Sequence, residues 1–195
     1  MTLRIRIASR KSNLAIRQVE ILKEHLSKDI EINIIEVVTS GDKTLDKSLA
    51  DIGGKGLFIK ELENTILKDG ADIAVHSMKD METELAANTK IAGVLPRGSR
   101  SDVLLGKYAT FDDLPDGAVI GTSSVRRGAF AKSYRPDLQI KLLRGNVGTR
   151  IDKLNHGFFD AIILAKAGLD RLNIDIGYII PKEIIPPAST QGIIA

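Results

Sequence analysis

Leu3, Ile5 and Ile7 alternate with Arg4 and Arg6 near the start of the chain, a period of two that predicts a first strand. After Ala8-Ser9-Arg10-Lys11-Ser12 the period lengthens, and Ala15, Val19, Leu22 and Leu26 share one face of a helix, with Ser12 placed to cap it. Apolar positions return over 31–38 as a second strand. Residues 39–56 are polar and glycine-rich, and so long a connection predicts a mobile loop over a site. Phe58, Ile59, Leu62 and Ile66 give the next helix its buried face, and Gly70 is expected to end it. Strands are expected at 72–76 and again at 91–95.

Pro96-Arg97-Gly98-Ser99-Arg100-Ser101 has linker composition, so a domain crossing is placed near 95–101, and 112–117 reads as a turn. The opening pattern then recurs. Strands at 118–121, 138–143 and 161–164 each run into a polar junction, and Val147, Ile151 and Leu154 line one face of the helix after the second. Ile185-Pro186-Pro187 marks a second crossing, and 191–195 begin a further strand. This alternation predicts an α/β chain with a mainly parallel sheet in each half. The expected domains are 1–95, with 190–195 beginning a return to it, and 96–189. Two such halves joined by two crossings would form a cleft.

Composition narrows the function classes. The chain of 195 residues is 43% apolar and 27% charged, with a net charge of +3, which is ordinary for a globular protein. No apolar run approaches the roughly 18 residues needed to span a bilayer, and the charged N-terminus lacks a signal-peptide core, so a cytoplasmic location without membrane contact is expected. The chain holds no cysteine, which excludes disulfides and thiol catalysis within it. His25, His76 and His156 lack ligand spacing, and no metal is expected. Aromatic residues make up only 4%, too few for stacking platforms, and nucleic acid is not an expected partner.

The candidate chemistry lies at the strand-to-helix junctions. Ser9, Arg10 and Ser12 occupy one, and Ser77, Lys79 and Asp80 another. Thr122, Ser123, Ser124, Arg126 and Arg127 occupy a third, and Arg144, Gly145 and Arg150 a fourth; Arg171 follows the last. Ligands of open α/β sheets bind at the carboxyl ends of strands. Helix N-termini favour anions, and arginine offers a planar fork for carboxylate or phosphate. A single arginine near a helix start is ordinarily a solvated side chain, but repetition at five junctions points to a ligand with many negative groups. Asp80 differs in sign and would steady positive charge, or else it belongs to a solvated turn. Gly53-Gly54-Lys55-Gly56 lacks the hydroxyl residue that a phosphate loop requires after its lysine.

Several of these segments together resemble one family. Ile-Ala-Ser-Arg-Lys-Ser at 7–12, Gly-Gly-Lys-Gly-Leu-Phe at 53–58, Ala-Asp-Ile-Ala-Val-His-Ser-Met-Lys-Asp at 71–80, Gly-Thr-Ser-Ser-Val-Arg-Arg at 121–127, Leu-Arg-Gly-Asn-Val-Gly-Thr-Arg at 143–150 and Asp-Ala-Ile-Ile-Leu-Ala at 160–165 are similar to porphobilinogen deaminase, also called hydroxymethylbilane synthase. The resemblance implies two domains of the type II periplasmic-binding-protein kind with a cleft between them. It implies a monomeric transferase of tetrapyrrole (haem) biosynthesis that condenses four porphobilinogen molecules into linear hydroxymethylbilane, releasing ammonia, on a covalent dipyrromethane cofactor. Porphobilinogen and the growing pyrrole chain would be its partners. Asp80 would be the catalytic carboxylate. Arg10, Ser12, Lys55, Ser77, Lys79, Thr122, Ser124, Arg126, Arg127, Arg144, Gly145, Arg150 and Arg171 would bind acetate and propionate groups.

The chain also departs from the family pattern. The cysteine that carries the cofactor, and the third (α+β) domain that holds it, are not in this sequence, so it reads as part of a longer chain with doubtful activity of its own. Glu82 stands where the family usually has proline, and Ser-Thr-Gln-Gly-Ile at 189–193 replaces the usual Gly-Gln-Gly-Ala. Both changes are expected to affect hinge stiffness. The alternative function is a non-catalytic two-domain fragment that binds polyanions.

Overall fold

The computed structural model describes residues 3–43 and 59–195. The chain divides into two compact units, residues 1–97 with 192–195 and residues 98–191.

In unit 1, strands β1 (Leu3–Arg10) and β2 (Ile30–Val37) pair in parallel along their whole length, and β3 (Ile73–Ala74) lies on the other side of β1, giving the order β2-β1-β3. Because successive side chains of a strand point to opposite faces, β1 feeds two cores. Ile7 packs with Val19 and Val75 below helix α1 (Asn13–Glu24), while Ala8 packs with Leu62 below helix α3 (Lys60–Leu67). A short helix, α2, spans Ser40–Lys43. Thr39 before it is fully buried, and the Ser40 amide donates to Glu61 Oε1 at 2.8 Å. The rest of the expected loop, and Phe58 of the expected helix face, lie outside the described residues.

Local details of unit 1 depart from the pattern-based expectation. Helix α1 is capped by Ser12 as anticipated, the Ala15 amide donating to its Oγ at 3.3 Å. Leu26 falls beyond the helix, and its buried face includes Gln18 instead. Asp69, not Gly70, takes the left-handed position that ends α3, with φ of 56°. The Gly70 amide then reaches back to Thr65 O at 2.8 Å. Aspartate tolerates that backbone region, and here its side chain accepts from Arg6 Nη2 at 2.8 Å. Residues 91–95 form no strand. The Leu95 amide bonds Ile194 O at 3.0 Å, while Ile91 and Val94 stay exposed, so this apolar run has no sheet to pair with along its length.

Residues 192–195 complete unit 1. His76 and Ala195 exchange both backbone hydrogen bonds, at 2.8 and 2.9 Å, and the Met78 amide donates to Ile193 O at 3.0 Å.

Unit 2 holds a five-stranded sheet, β6-β5-β7-β4-β8. Its strands are β4 (Asp102–Gly106), β5 (Val119–Gly121), β6 (Gln139–Lys141), β7 (Ala161–Ala165) and β8 (Tyr178–Ile179). β5, β6 and β7 are parallel, as their pattern predicts, whereas β4 runs antiparallel to both β7 and β8. The sheet is therefore mixed, but β4 is its one reversed strand and the other four run in the same direction, so it is mainly parallel as expected. β4 was concealed between a linker and a turn: Val103-Leu104-Leu105 is too short a run to show a period. Both faces of this sheet are covered. Leu104, Ala161 and Ile163 point into one core with Phe111 and Leu138; Val103, Leu105, Ile162 and Leu164 point into the other with Leu143 and Leu169. Helices α4 (Val125–Tyr134), α5 (Val147–Asn155) and α6 (Lys166–Arg171) follow β5, β6 and β7.

Candidate functional site

In unit 1 the neighbouring pairing of β1 and β3 brings two junctions to the same end of the sheet. β1 ends at Arg10, half-buried, and Ser12 follows it; beyond β3 come His76, Ser77 and a 3-10 turn, Met78–Asp80. The turn is closed by the Asp80 amide donating to Ser77 O at 2.9 Å. It leaves Lys79 and Asp80 exposed. Gln18 Nε2 donates to Ser77 Oγ at 2.7 Å, so a buried amide of α1 fixes the residue from which the turn starts. Burial is the main reason that the His76 imidazole sits below its ordinary pKa of 6.5; the Asp80 charge raises it and the Arg10 charge lowers it further. His76 thus feels both signs of charge at this sheet end.

Unit 2 gathers its junctions the same way, at the carboxyl ends of adjacent parallel strands. The Thr122 amide donates to Lys141 O at 3.0 Å, joining the β5 and β6 exits. Thr122 Oγ1 accepts from the Ser124 amide at 3.2 Å, and Ser124 Oγ caps α4 by accepting from the Arg127 amide at 3.4 Å. Asn146 caps α5, accepting from the Thr149 amide at 2.9 Å. Gly145 before it has φ of +112°, and a Cβ there would meet Thr149 Cβ and Cγ2 at 2.9 Å, so only glycine fits this turn. Arg150 Nε bonds Gly145 O at 2.7 Å, and Lys153 Nζ bonds Arg144 O at 3.3 Å. Arg144 is buried. Burial also lowers the Arg171 guanidinium from its ordinary value, with Asp170 acting against it.

The hydroxyls share one property. Ser12, Ser77, Thr122 and Ser124 each accept an N–H bond from their own unit. A hydroxyl has one hydrogen to donate, and each of these can offer it to an acceptor such as a carboxylate.

Arg126 and Arg127 meet Asp102, a residue that motif reading missed. Arg126 Nη2 donates to Asp102 Oδ2 at 2.8 Å and Arg127 Nη2 to Oδ1 at 2.7 Å, with the carboxylate wholly buried. Arg127 Nη1 also donates to Ile163 O at 3.1 Å, and Arg126 Nη1 donates to Pro186 O. Gln191, fully buried, donates to Arg100 O at 2.7 Å and to Asp102 Oδ1 at 2.9 Å. Burial alone would raise the Asp102 pKa, but the charges and hydrogen bonds of Arg127 and then Arg126 prevail and hold it below 3.8. The available signal was an acidic residue at the head of a short apolar run, just after a basic linker.

Lys55 and the segment 53–58 lie outside the described residues. Among those described, no group of three His, Asp or Glu residues is placed to hold a metal ion, and no helix is long and apolar enough to cross a membrane.

The fold has solved counterparts. The VFT2 domain of Bordetella pertussis BvgS (a F375E/Q461E double mutant) superposes with a TM-score of 0.53 at 14% identity, over 98% of this chain and 80% of that one. A TRAP periplasmic solute binding protein from Desulfovibrio salexigens gives 0.52 at 13% identity, over 89% and 60%. The architecture is thus a two-domain α/β fold of the periplasmic-binding-protein kind. Sequence relationships are more specific. The family model described as porphobilinogen deaminase, dipyromethane cofactor binding domain, matches residues 5–195. Porphobilinogen deaminase of Buchnera aphidicola subsp. Acyrthosiphon pisum is 47% identical over 97% of this chain and 62% of its own length. That of Francisella tularensis subsp. holarctica is 49% identical over 97% and 65%. The probable porphobilinogen deaminase of Ignicoccus hospitalis is 46% identical over 98% and 66%. The chain belongs to the porphobilinogen deaminase family, and it spans between 62% and 66% of the length of these relatives.

Proposed function

We propose that this chain is the substrate-handling part of an enzyme that condenses porphobilinogen molecules head to tail into hydroxymethylbilane, releasing ammonia at each addition. The observation that supports this reading is the donor character of the strand ends. Four hydroxyls, three helix N-termini and several guanidiniums offer N–H and O–H groups to an anion, and each pyrrole of the substrate carries two carboxylates. Such hydrogen bonds between ionised partners are about twice as strong as neutral ones.

Asp80 is the exception in sign, and that is why the reading gives it the chemistry. Loss of ammonia from porphobilinogen leaves a cation delocalised to the pyrrole nitrogen. A carboxylate accepting that N–H stabilises the charge as it develops, and preorganised electrostatics of this kind usually make the largest catalytic contribution. The 3-10 turn presents Asp80 beside Lys79, which in this reading holds a substrate carboxylate while Asp80 faces ring nitrogen. The buried Gln18–Ser77 bond would keep the start of the turn in place.

The same groups fit a dipyrromethane, which is itself a carboxylate-bearing pyrrole pair. Arg10, Ser12, Lys79, Thr122, Ser124, Arg126, Arg144, Arg150 and Arg171 are the residues proposed to hold its carboxylates. When bound, it would supply the terminal pyrrole carbon from which the chain grows. This chain has no cysteine to attach it.

The test uses the full-length protein. Asp80→Asn is expected to lower kcat by roughly a hundredfold or more while the denatured protein keeps an added mass of two pyrrole units. Near-normal turnover would overturn the role of Asp80. Active full-length protein without the added mass would overturn the cofactor assignment.

A further inference from the structure

Asp102 is buried, acidic, and placed among residues that the proposed function treats as anion binders. Its two oxygens take three donors: Arg126 on Oδ2, and Arg127 with Gln191 on Oδ1. Successive helical residues point about 100° apart, so Arg126 and Arg127 would not share a direction by themselves. The carboxylate gathers them. Their environments then diverge. The Arg127 side chain is 7% exposed and also bonds Ile163 O, which commits it to the interior. The Arg126 side chain is 23% exposed, with two of its five N–H groups used by Asp102 and Pro186 O.

Charge points the same way. Two guanidiniums share one carboxylate, and neither has a second carboxylate partner among the described residues. The cluster therefore keeps a positive charge, open to solvent at Arg126. Buried ion clusters are often no more stable than apolar residues of the same volume, so what this one adds is arrangement. It also reaches both segments by which the chain passes between units. Gln191 is the last residue of unit 2 and bonds Arg100 O near its start.

We propose that Asp102 is a positioning residue for carboxylate binding: it aligns the Arg126 guanidinium, and through Gln191 it secures that guanidinium to both chain crossings. Arg127 is then internal support, not a ligand group. This rests on the reading that the unit 2 junctions hold substrate carboxylates.

The sign of one measurement separates positioning from simple charge compensation. If Asp102 only offset charge, removing it would strengthen binding of an anion. If it positions Arg126, removing it weakens binding. In the full-length protein, Asp102→Asn is expected to raise KM for porphobilinogen about tenfold with kcat changed less than about threefold, and Asp102→Glu to recover part of the loss. An unchanged or lower KM in folded Asp102→Asn protein would overturn the proposal. Should that variant fail to fold, Gln191→Met decides: a rise of about threefold in KM supports positioning, and an unchanged KM defeats it. Arg126→Gln serves as the control for the underlying reading. If it raises KM while the Asp102 and Gln191 variants do not, only the positioning role fails. If it leaves KM unchanged, carboxylate binding at this junction fails.

Discussion

At the end of β3 in unit 1, Lys79 and Asp80 lie exposed on a three-residue turn. At the end of β5 in unit 2, Arg127 is buried, Arg126 is mostly covered, and both are held by one buried carboxylate. The two junctions look alike in sequence, each a short polar run with hydroxyl and cationic residues after a strand. Their physics differs. Exposed charges in unit 1 keep their hydration and can change partners at little cost. Charges in unit 2 have given up hydration, and only pairing offsets that loss. The first arrangement suits a group that follows a reacting centre; the second suits a cation whose direction is set before a ligand arrives.

Breaking the buried side should have the largest structural effect. Arg127→Leu leaves the Asp102 carboxylate buried with one cation fewer and is expected to destabilise the protein by about 3 kcal/mol. Lys79→Leu at the exposed turn should stay within about 0.5 kcal/mol. Urea unfolding of the two variants measures both, and equal losses would abolish the distinction between the junctions.

Gly145→Ala tests whether the β6–α5 junction is equally prearranged. Its backbone conformation and the 2.9 Å approach to Thr149 predict a loss of about 2 kcal/mol. A neutral result in the same unfolding assay would mean that this turn relaxes freely.

Acidification should separate the units by the smallest margin but with a clear sign. The His76 pKa in the folded protein lies below 6.5, so the unfolded chain takes up the proton more readily and stability declines as pH falls below that value. Asp102 lies below 3.8 in the folded protein, so its contribution persists above that pH and is lost only beneath it. Between pH 7 and 5, segment-resolved hydrogen exchange should show protection falling around 73–80 and not around 102–105. His76→Asn should remove the difference. Parallel decline in both segments would contradict it.

Much of this was legible along the chain. Strand–helix alternation marked three of the unit 2 strands because each carries its apolar run into a polar junction and a helix. Hydroxyl and basic residues at those exits stood out because parallel sheets place strand ends together. β4 was not legible: four buried residues carry no period, and nothing local specifies an antiparallel partner. The run at 91–95 misled for the opposite reason, since strand propensity forms no strand without a sheet edge along it.

The sequence by itself determined the α/β class, the capping residue Ser12, and the side-chain types at each junction, because these depend on neighbours within a few positions. Which cations remain open to a ligand was decided only by tertiary structure. Arg126 and Arg127 are adjacent and chemically identical and share Asp102, 24 and 25 positions away; they are told apart by their second partners, Pro186 O for Arg126 and Ile163 O for Arg127, 60 and 36 positions away. A charge takes its role from the hydration it keeps and the partners it gains, and both are set by contacts distant along the chain.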